Sequence, residues 1–262
     1  MNVNEYYQKG RYDVVGSAAK RELADFYLKR LDTLTKVLHG YHFANILDAG
    51  CGDGQIGRLL KDSMHVDVYG IDISKKGVAL ARKKGLKAKV ADMSKKIPFG
   101  DAMFDLVISS ATIEHVPNPD VFLKEIYRVL KPGGIVLIST PNLSFWLNRI
   151  LFVFGLYPLF LEASTEAKVG YGKFKRFFYS MQLVGHIHVF TLPALVELMK
   201  YHNFSIDRIM GGTVDFVSPS SKIITYLYRM IDRLMTNIPS LSTDIIVVGI
   251  KQNNFPKGNE GR

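Results

Sequence analysis

Four closely spaced glycines, Gly50, Gly52, Gly54 and Gly57, follow the acid Asp48 at the end of Asn45-Ile46-Leu47-Asp48-Ala49. Glycine at such positions lets the backbone turn tightly and approach a ligand, with N–H groups aimed at it. Gly52, Gly54 and Gly57 also satisfy G-x-G-x-x-G, so a nicotinamide or flavin oxidoreductase is one reading and a plain tight turn another. Asp72 stands where an acid would meet ribose hydroxyls under either cofactor. Asp48 separates the alternatives. At the mouth of its strand it would repel a pyrophosphate and attract a cation.

The ammonium and sulfonium of S-adenosylmethionine are such cations, and Asp48 tips the balance toward that cofactor. Cys51 is the sole cysteine and lies inside the loop, so an internal disulfide is impossible and a reducing cytoplasm is expected. Three histidines are candidates for catalysis by proton removal: His115, His186 and His188. If His186-Ile187-His188 is extended, alternation puts both rings on one face, which would suit a two-point metal site. No third ligand is apparent, and no metal is expected. Glu114 and His115 could equally be a pair that holds its loop in place.

The elements needed to position these residues are legible in the apolar pattern. Short apolar runs at Asn45–Ala49, Val66–Ile73, Ala88–Ala91, Phe104–Ser109 and Ile135–Thr140 alternate with helical segments. The helices run from about Gln55 to Asp62, from a Ser74 cap to Lys84, and from an Asp120 cap to about Leu130. Later come a helix at Leu192–Tyr201, a strand at Phe204–Met210, a helix at Ser221–Met235 and a strand at Asp244–Lys251. The alternation predicts an α/β fold with a doubly wound, seven-stranded, mostly parallel sheet. Before it, Leu23, Phe26, Tyr27, Leu31, Leu34 and Leu38 mark an amphipathic helix ending near Gly40, so residues 1–40 form a helical cap. The polar tail from Gln252 to Arg262 is expected to fray.

Five segments, taken together, resemble the class I S-adenosylmethionine-dependent methyltransferases over roughly Tyr41–Asn142. Ile46 to Gly54 is similar to the first motif of that family and Val68 to Ser74 to its second. Ala91-Asp92-Met93 resembles the third, Phe104 to Ser110 with Ile113 to Val116 the fourth, and Leu130 to Gly134 the turn before the fifth strand. The resemblance implies a Rossmann-like methyltransferase fold that uses S-adenosylmethionine and releases S-adenosylhomocysteine. Asp48, Gly50, Cys51, Gly52 and Gly54 would cradle the cofactor. Asp72 would bind the ribose and Asp92 the adenine amino group, while Ile73 and Met93 would sandwich the ring and Ser109 would line the methionine side. Each has a plainer alternative: helix cap for Asp72, turn residue for Asp92, ordinary core for Ile73 and Met93. His186 to Thr191 resembles a family segment that closes the active site from above.

The acceptor is bounded mainly by exclusion. Ser109-Ser110-Ala111-Thr112 replaces the Asn/Asp-Pro-Pro-aromatic loop of many exocyclic-amine methyltransferases, and Cys51 is misplaced for cytosine C5 chemistry. O-methylation of a small-molecule, lipid-linked or glycan acceptor is the leading expectation. With 262 residues, 47% hydrophobic and 22% charged, a single methyltransferase domain over 1–262 is expected. The formal charge of +10 is scattered over helix faces, as at Lys75-Lys76 and Arg82-Lys83-Lys84, and does not establish a nucleic-acid partner. Residues 143–190 break the alternation. Leu143–Leu161 is dense in Phe, Leu, Trp and Tyr and predicts an aromatic-rich helical insertion after the fifth strand. That insertion would serve as a lid or acceptor wall, as peripheral membrane contact through 143–180, or as a dimer interface.

Overall fold

The computed structural model describes residues 33–173, 184–213 and 222–252. Seven strands form one sheet: β1 (Asn45–Ala49), β2 (Asp67–Asp72), β3 (Lys87–Val90), β4 (Phe104–Ser110), β5 (Leu130–Pro141), β6 (Phe204–Gly212) and β7 (Asp244–Lys251). Their order is β3-β2-β1-β4-β5-β7-β6. β7 runs antiparallel to both neighbours, and the other adjacent pairs are parallel. The expected doubly wound α/β fold is present. Strand order reverses between β1 and β4, which opens a crevice at the carboxyl edge, where open α/β sheets bind ligands.

Both faces of the sheet are covered, which explains the continuous apolar runs. On one face Leu47, Ala49, Phe104 and Val107 join Phe122, Ile126 and Leu195 in one core layer. On the other, Ile46, Leu106 and Ile108 pack with Leu60, Val78 and Ala81. Leu34, Val37 and Leu38 enter this second layer and are buried, and residues 33–37 are helical, as expected for the end of the N-terminal helix. Leu23, Phe26, Tyr27 and Leu31 lie outside the described residues, as does nearly all of the polar tail.

The helices are α1 (Gln55–Met64), α2 (Lys75–Lys83), α3 (Pro119–Val129), α4 (Trp146–Val153), α5 (Leu192–Tyr201) and α6 (Lys222–Met235). Ser74 caps α2 as expected, its Oγ accepting from Gly77 N at 3.0 Å. Asp120 does not cap α3. Asn118 does, accepting from Val121 N at 3.0 Å, and Pro119 takes the first turn, where a missing N–H costs nothing. β5 also begins earlier than Ile135. Leu130 already pairs with Phe104, and the register shifts before Leu106 meets Ile135. The Lys131–Gly134 stretch is thus a bulge within the strand.

Among the described residues of the insertion after β5, α4 is the regular helix, and residues 174–183 lie outside the described residues. The two ends of the insertion lie side by side. Asn142 bridges Phe190 in parallel, and Leu143 N donates to Phe190 O at 2.9 Å. Between them Phe145, Leu151, Leu159, Phe160 and Tyr171 form a small core of their own. Asn148 braces it, accepting from Leu159 N at 2.7 Å and donating to Leu143 O at 2.8 Å.

Candidate active site

The glycine loop crosses the crevice mouth between β1 and α1. Gly50 N and Cys51 N both donate to Ile71 O, at 2.8 and 2.9 Å, and Gly54 N donates to Cys51 O at 2.8 Å. Gly52 N donates to Asp72 Oδ2 at 2.8 Å. The N–H groups expected to point at a ligand are therefore engaged within the protein. Gln55 N, at the start of α1, meets Asp53 Oδ1 at 3.3 Å. What the loop offers is close approach. Gly50 lies at φ +92°, and a Cβ there would sit 2.1 Å from Thr112 Oγ1.

Three carboxylates surround this loop: Asp48, Asp53 and Asp72. Asp53 is partly neutralised by Lys84, whose Nζ lies 2.7 Å from it. Asp48 is 3% exposed, and its Oδ2 has no hydrogen-bond partner among the described residues. Burial, with the nearby Asp72 charge adding to it, pushes the Asp48 carboxyl up to about 7. A pyrophosphate would face acids and engaged amides here. A cation would meet the field it needs.

The raised Asp48 value carries a stability consequence. Unfolded, this carboxyl ionises near 3.8; folded, it holds its proton until about 7. Between those values the folded state binds the additional proton, so stability falls as pH rises from about 4 to 7 and then levels off. Asp48→Asn removes the effect, with a gain on the order of a few kcal/mol at pH 8 and little change at pH 4. Scanning calorimetry at the two pH values checks this, and equal shifts at both would contradict it.

The remaining predicted cofactor residues lie at adjacent strand ends. Asp72 also accepts from Ser74 N at 2.8 Å, and Ala91 N donates to Asp72 O at 2.9 Å, which ties the third motif to the second. Ile73 and Met93 are half-buried, and Asp92 accepts from Ser94 N at 2.9 Å. Ser109 is fully buried at the end of β4, with its Oγ lacking a partner among the described residues. The orphaned Ser109 and Asp48 oxygens, with the acid-lined loop, suit a polar, cationic ligand such as an adenosyl sulfonium. The Cys51 thiol turns into the core against Gly70 and is pushed far above its ordinary range by burial and by Asp48, so within the loop it is the backbone of Cys51 that faces the crevice side.

The three histidines are not gathered into one group. Ile187 and His188 both donate their backbone N–H to Glu114 O, at 2.8 and 3.0 Å, so the chain bends rather than running extended. His188 turns to Pro117 O at 3.4 Å. His186 turns inward beside His115, with ring centroids 4.8 Å apart, and its Nε2 faces Glu114 Oε1 at 4.0 Å. The pairing of His186 with His188 is therefore not formed. Glu114 and His115, on the 3-10 turn Ile113–His115, are the partners instead.

Residues not singled out in the sequence hold this cluster. Phe160 O accepts from His186 Nδ1 at 2.6 Å, and Gly185 O accepts from His115 Nδ1 at 3.1 Å. Glu162 accepts from Val184 N and Gly185 N, at 2.7 and 2.9 Å, and pairs with Lys168 at 3.2 Å. Thr140 Oγ1 donates to Glu114 Oε2 at 2.9 Å.

Residues 47–138 match the methyltransferase domain family. The chain is similar to a ubiquinone biosynthesis O-methyltransferase of Alkalilimnicola ehrlichii, 34% identical over 47% of this chain and 51% of that protein. It is also similar to a 2-methyl-6-phytyl-1,4-hydroquinone methyltransferase of Synechocystis, 37% identical over 40% of this chain and 37% of that protein. The chain thus spans about half or less of the curated relatives it matches. An S-adenosylmethionine-dependent methyltransferase structure from Mesorhizobium loti is 20% identical and covers 84% of this chain and 96% of its own, with a TM-score of 0.57. That likeness supports the fold assignment.

Proposed function

We propose that this chain, whose residues 47–138 form a class I S-adenosylmethionine-dependent methyltransferase domain, moves the methyl group of that cofactor onto an oxygen of a small or lipid-linked acceptor. The observation that carries the reading is the acid-ringed glycine loop with its amides already engaged. That arrangement favours a cationic methyl donor over a dinucleotide. Asp72 would fix the ribose, Ile73, Asp92 and Met93 the adenine, and Asp48 and Ser109 the methionine end. The sulfonium of the cofactor supplies the activated methyl. The chain's own part is to orient the acceptor, exclude water and draw the proton from its hydroxyl. We assign that last task to the Glu114–His115–His186 cluster. His188, turned away, is left as a support of the loop.

Calorimetric titration tests the cofactor assignment. S-adenosylhomocysteine is expected to bind with micromolar affinity and NADH to give no heat. Binding of the cationic S-adenosylmethionine at pH 6 also releases a proton from Asp48, visible as a heat that changes with buffer ionisation enthalpy. If NADH binds and the adenosyl compounds do not, the reading falls.

A lipid-linked acceptor is favoured by one observation. α6 presents Tyr228 and Asp232 to the protein body and turns Ile223, Tyr226, Leu227, Met230 and Leu234 outward. Val153 and Phe154, at the end of α4, are 83% and 70% exposed. Trp146 stacks near Tyr228 and donates to Asp232 at 3.1 Å, which joins the two helices. Among the described residues no helix is long and apolar enough to cross a membrane. Outward apolar residues with Arg229 and Arg233 between them suit contact with a bilayer surface. The quinone-lipid names of the relatives point the same way. Co-sedimentation with vesicles containing phosphatidylglycerol is expected, reduced by Leu227→Glu and by high salt. Absence of binding at both low and high salt removes the membrane reading and leaves a small soluble acceptor.

A further inference from the structure

The geometry points to a binding site for one divalent transition-metal ion, of the zinc type, formed by Glu114, His115 and His186. Two segments distant in sequence supply it, the 3-10 turn after β4 and the loop leading to α5. One ligand atom from each of the three side chains lies within 4.8 Å of the other two. His186 Nε2 and Glu114 Oε1 stand 4.0 Å apart, beyond a hydrogen bond. Ligands sharing a tetrahedral ion with bonds of about 2.1 Å lie ~3.4 Å from one another, so binding would draw the cluster in by up to about 1.4 Å.

The orientation of each ligand is fixed by a second group, as metal-binding side chains require. Each imidazole donates Nδ1–H to a backbone carbonyl, His186 to Phe160 O at 2.6 Å and His115 to Gly185 O at 3.1 Å. In the neutral rings this makes Nε2 the electron-pair donor. Thr140 Oγ1 holds Glu114 Oε2 and leaves Oε1 on the side of His186. Glu162 in turn fixes the backbone at Val184 and Gly185. Glu114 is fully buried and the His186 side chain is 7% exposed, so water competes poorly for these positions.

Two imidazoles and one carboxylate select a borderline ion over magnesium or calcium, which prefer oxygen ligands. Three protein ligands leave coordination positions open, the pattern of a catalytic rather than a structural site. The metal site stands on its own geometry. Its use rests on the methyl-transfer reading and refines it: with the ion bound, the cluster would promote loss of the acceptor's proton through the metal, which makes a hydroxyl in an open position more acidic, and not by taking the proton on a ligand atom.

The test uses the full chain stripped with EDTA. Titration with zinc is expected to show one equivalent bound, magnesium none, and cobalt(II) a visible d–d spectrum. Glu114→Gln and His186→Ala each weaken zinc by about 100-fold or more and abolish the cobalt spectrum, while Thr140→Val weakens it about 10-fold. Thermal unfolding and S-adenosylhomocysteine binding of the same variants report whether they fold. Sub-stoichiometric zinc in the unaltered chain overturns the proposal, as does a cobalt spectrum that survives in folded Glu114→Gln. If S-adenosylhomocysteine binds and zinc does not, the metal site alone is lost. If zinc binds and S-adenosylhomocysteine does not, the cofactor reading alone is lost.

Discussion

Replacing Asp72 by alanine is expected to weaken S-adenosylhomocysteine binding by about 100-fold or more, equivalent to ~3 kcal/mol. The carboxylate does two things at once. It accepts from Gly52 N and Ser74 N, both at 2.8 Å, and so joins the glycine loop to the end of β2. It also stands where the ribose hydroxyls would be received. Each hydrogen bond to a charged group is worth about 1.5–3 kcal/mol, and truncation also leaves the Gly52 N–H without its partner. Asparagine is not a mild substitute. One of its two ends is an amide donor, and both oxygens of Asp72 now face N–H groups, so Asp72→Asn should lose nearly as much affinity as alanine. Isothermal titration gives the answer; affinity of either variant within about fivefold of the unaltered chain would sink this account of the loop.

The largest loss of stability is expected for Gly50→Ala, about 3–5 kcal/mol. At φ +92° any Cβ is strained, at a cost of about 1–2 kcal/mol. The added methyl would lie 2.1 Å from Thr112 Oγ1 and 2.9 Å from Thr112 Cβ, so rotating the threonine cannot make room. Relief requires displacing Thr112 itself, and with it the adjoining turn that carries Glu114 and His115. Gly133 separates the two contributions. It also has a positive φ, +72°, but an added Cβ there meets nothing within 4 Å. Gly133→Ala should therefore show only the backbone cost, about 1–2 kcal/mol. Urea unfolding of both variants decides the matter. Similar losses at the two glycines would mean that the close approach of Thr112 to the loop is immaterial.

Much of this was legible in the sequence because parallel strands buried on both faces and amphipathic helices are written locally. All seven strands and the order of helices followed from short apolar runs and their spacing. The residues assigned to the cofactor were local too, since the glycine loop and Asp72 sit at consecutive strand ends. The misses share a physical cause: they depend on contacts between distant segments. Asp120 looked like a cap until Asn118, followed by Pro119, took the role. The inward turn of the Cys51 thiol was equally illegible, because Gly70, far off in sequence, opens the space beneath the loop for it. His186 and His188 form a natural pair only if the backbone is straight. The Glu114 carbonyl accepts from two successive N–H groups and bends it. Glu162 had no periodic context to mark it, because its role is to hold Val184 and Gly185, far from it in sequence.

The parallel bridge between Asn142 and Phe190 has a bearing on how such a protein changes over time. Because the chain leaves and re-enters the sheet at neighbouring points, the intervening stretch can lengthen, shorten or be exchanged without moving β5 or α5. The entropic cost of closing a loop grows only slowly with its length, so large exchanges there are thermodynamically tolerable. The donor half would stay constant while the acceptor half is rewritten. His186 lies on the exchanged side and Glu114 and His115 on the constant one, so each new graft would have to restore one histidine to keep the cluster whole. Grafting the corresponding stretch from a relative, with and without a histidine at that point, would turn this chain into a scaffold for reprogramming what is methylated.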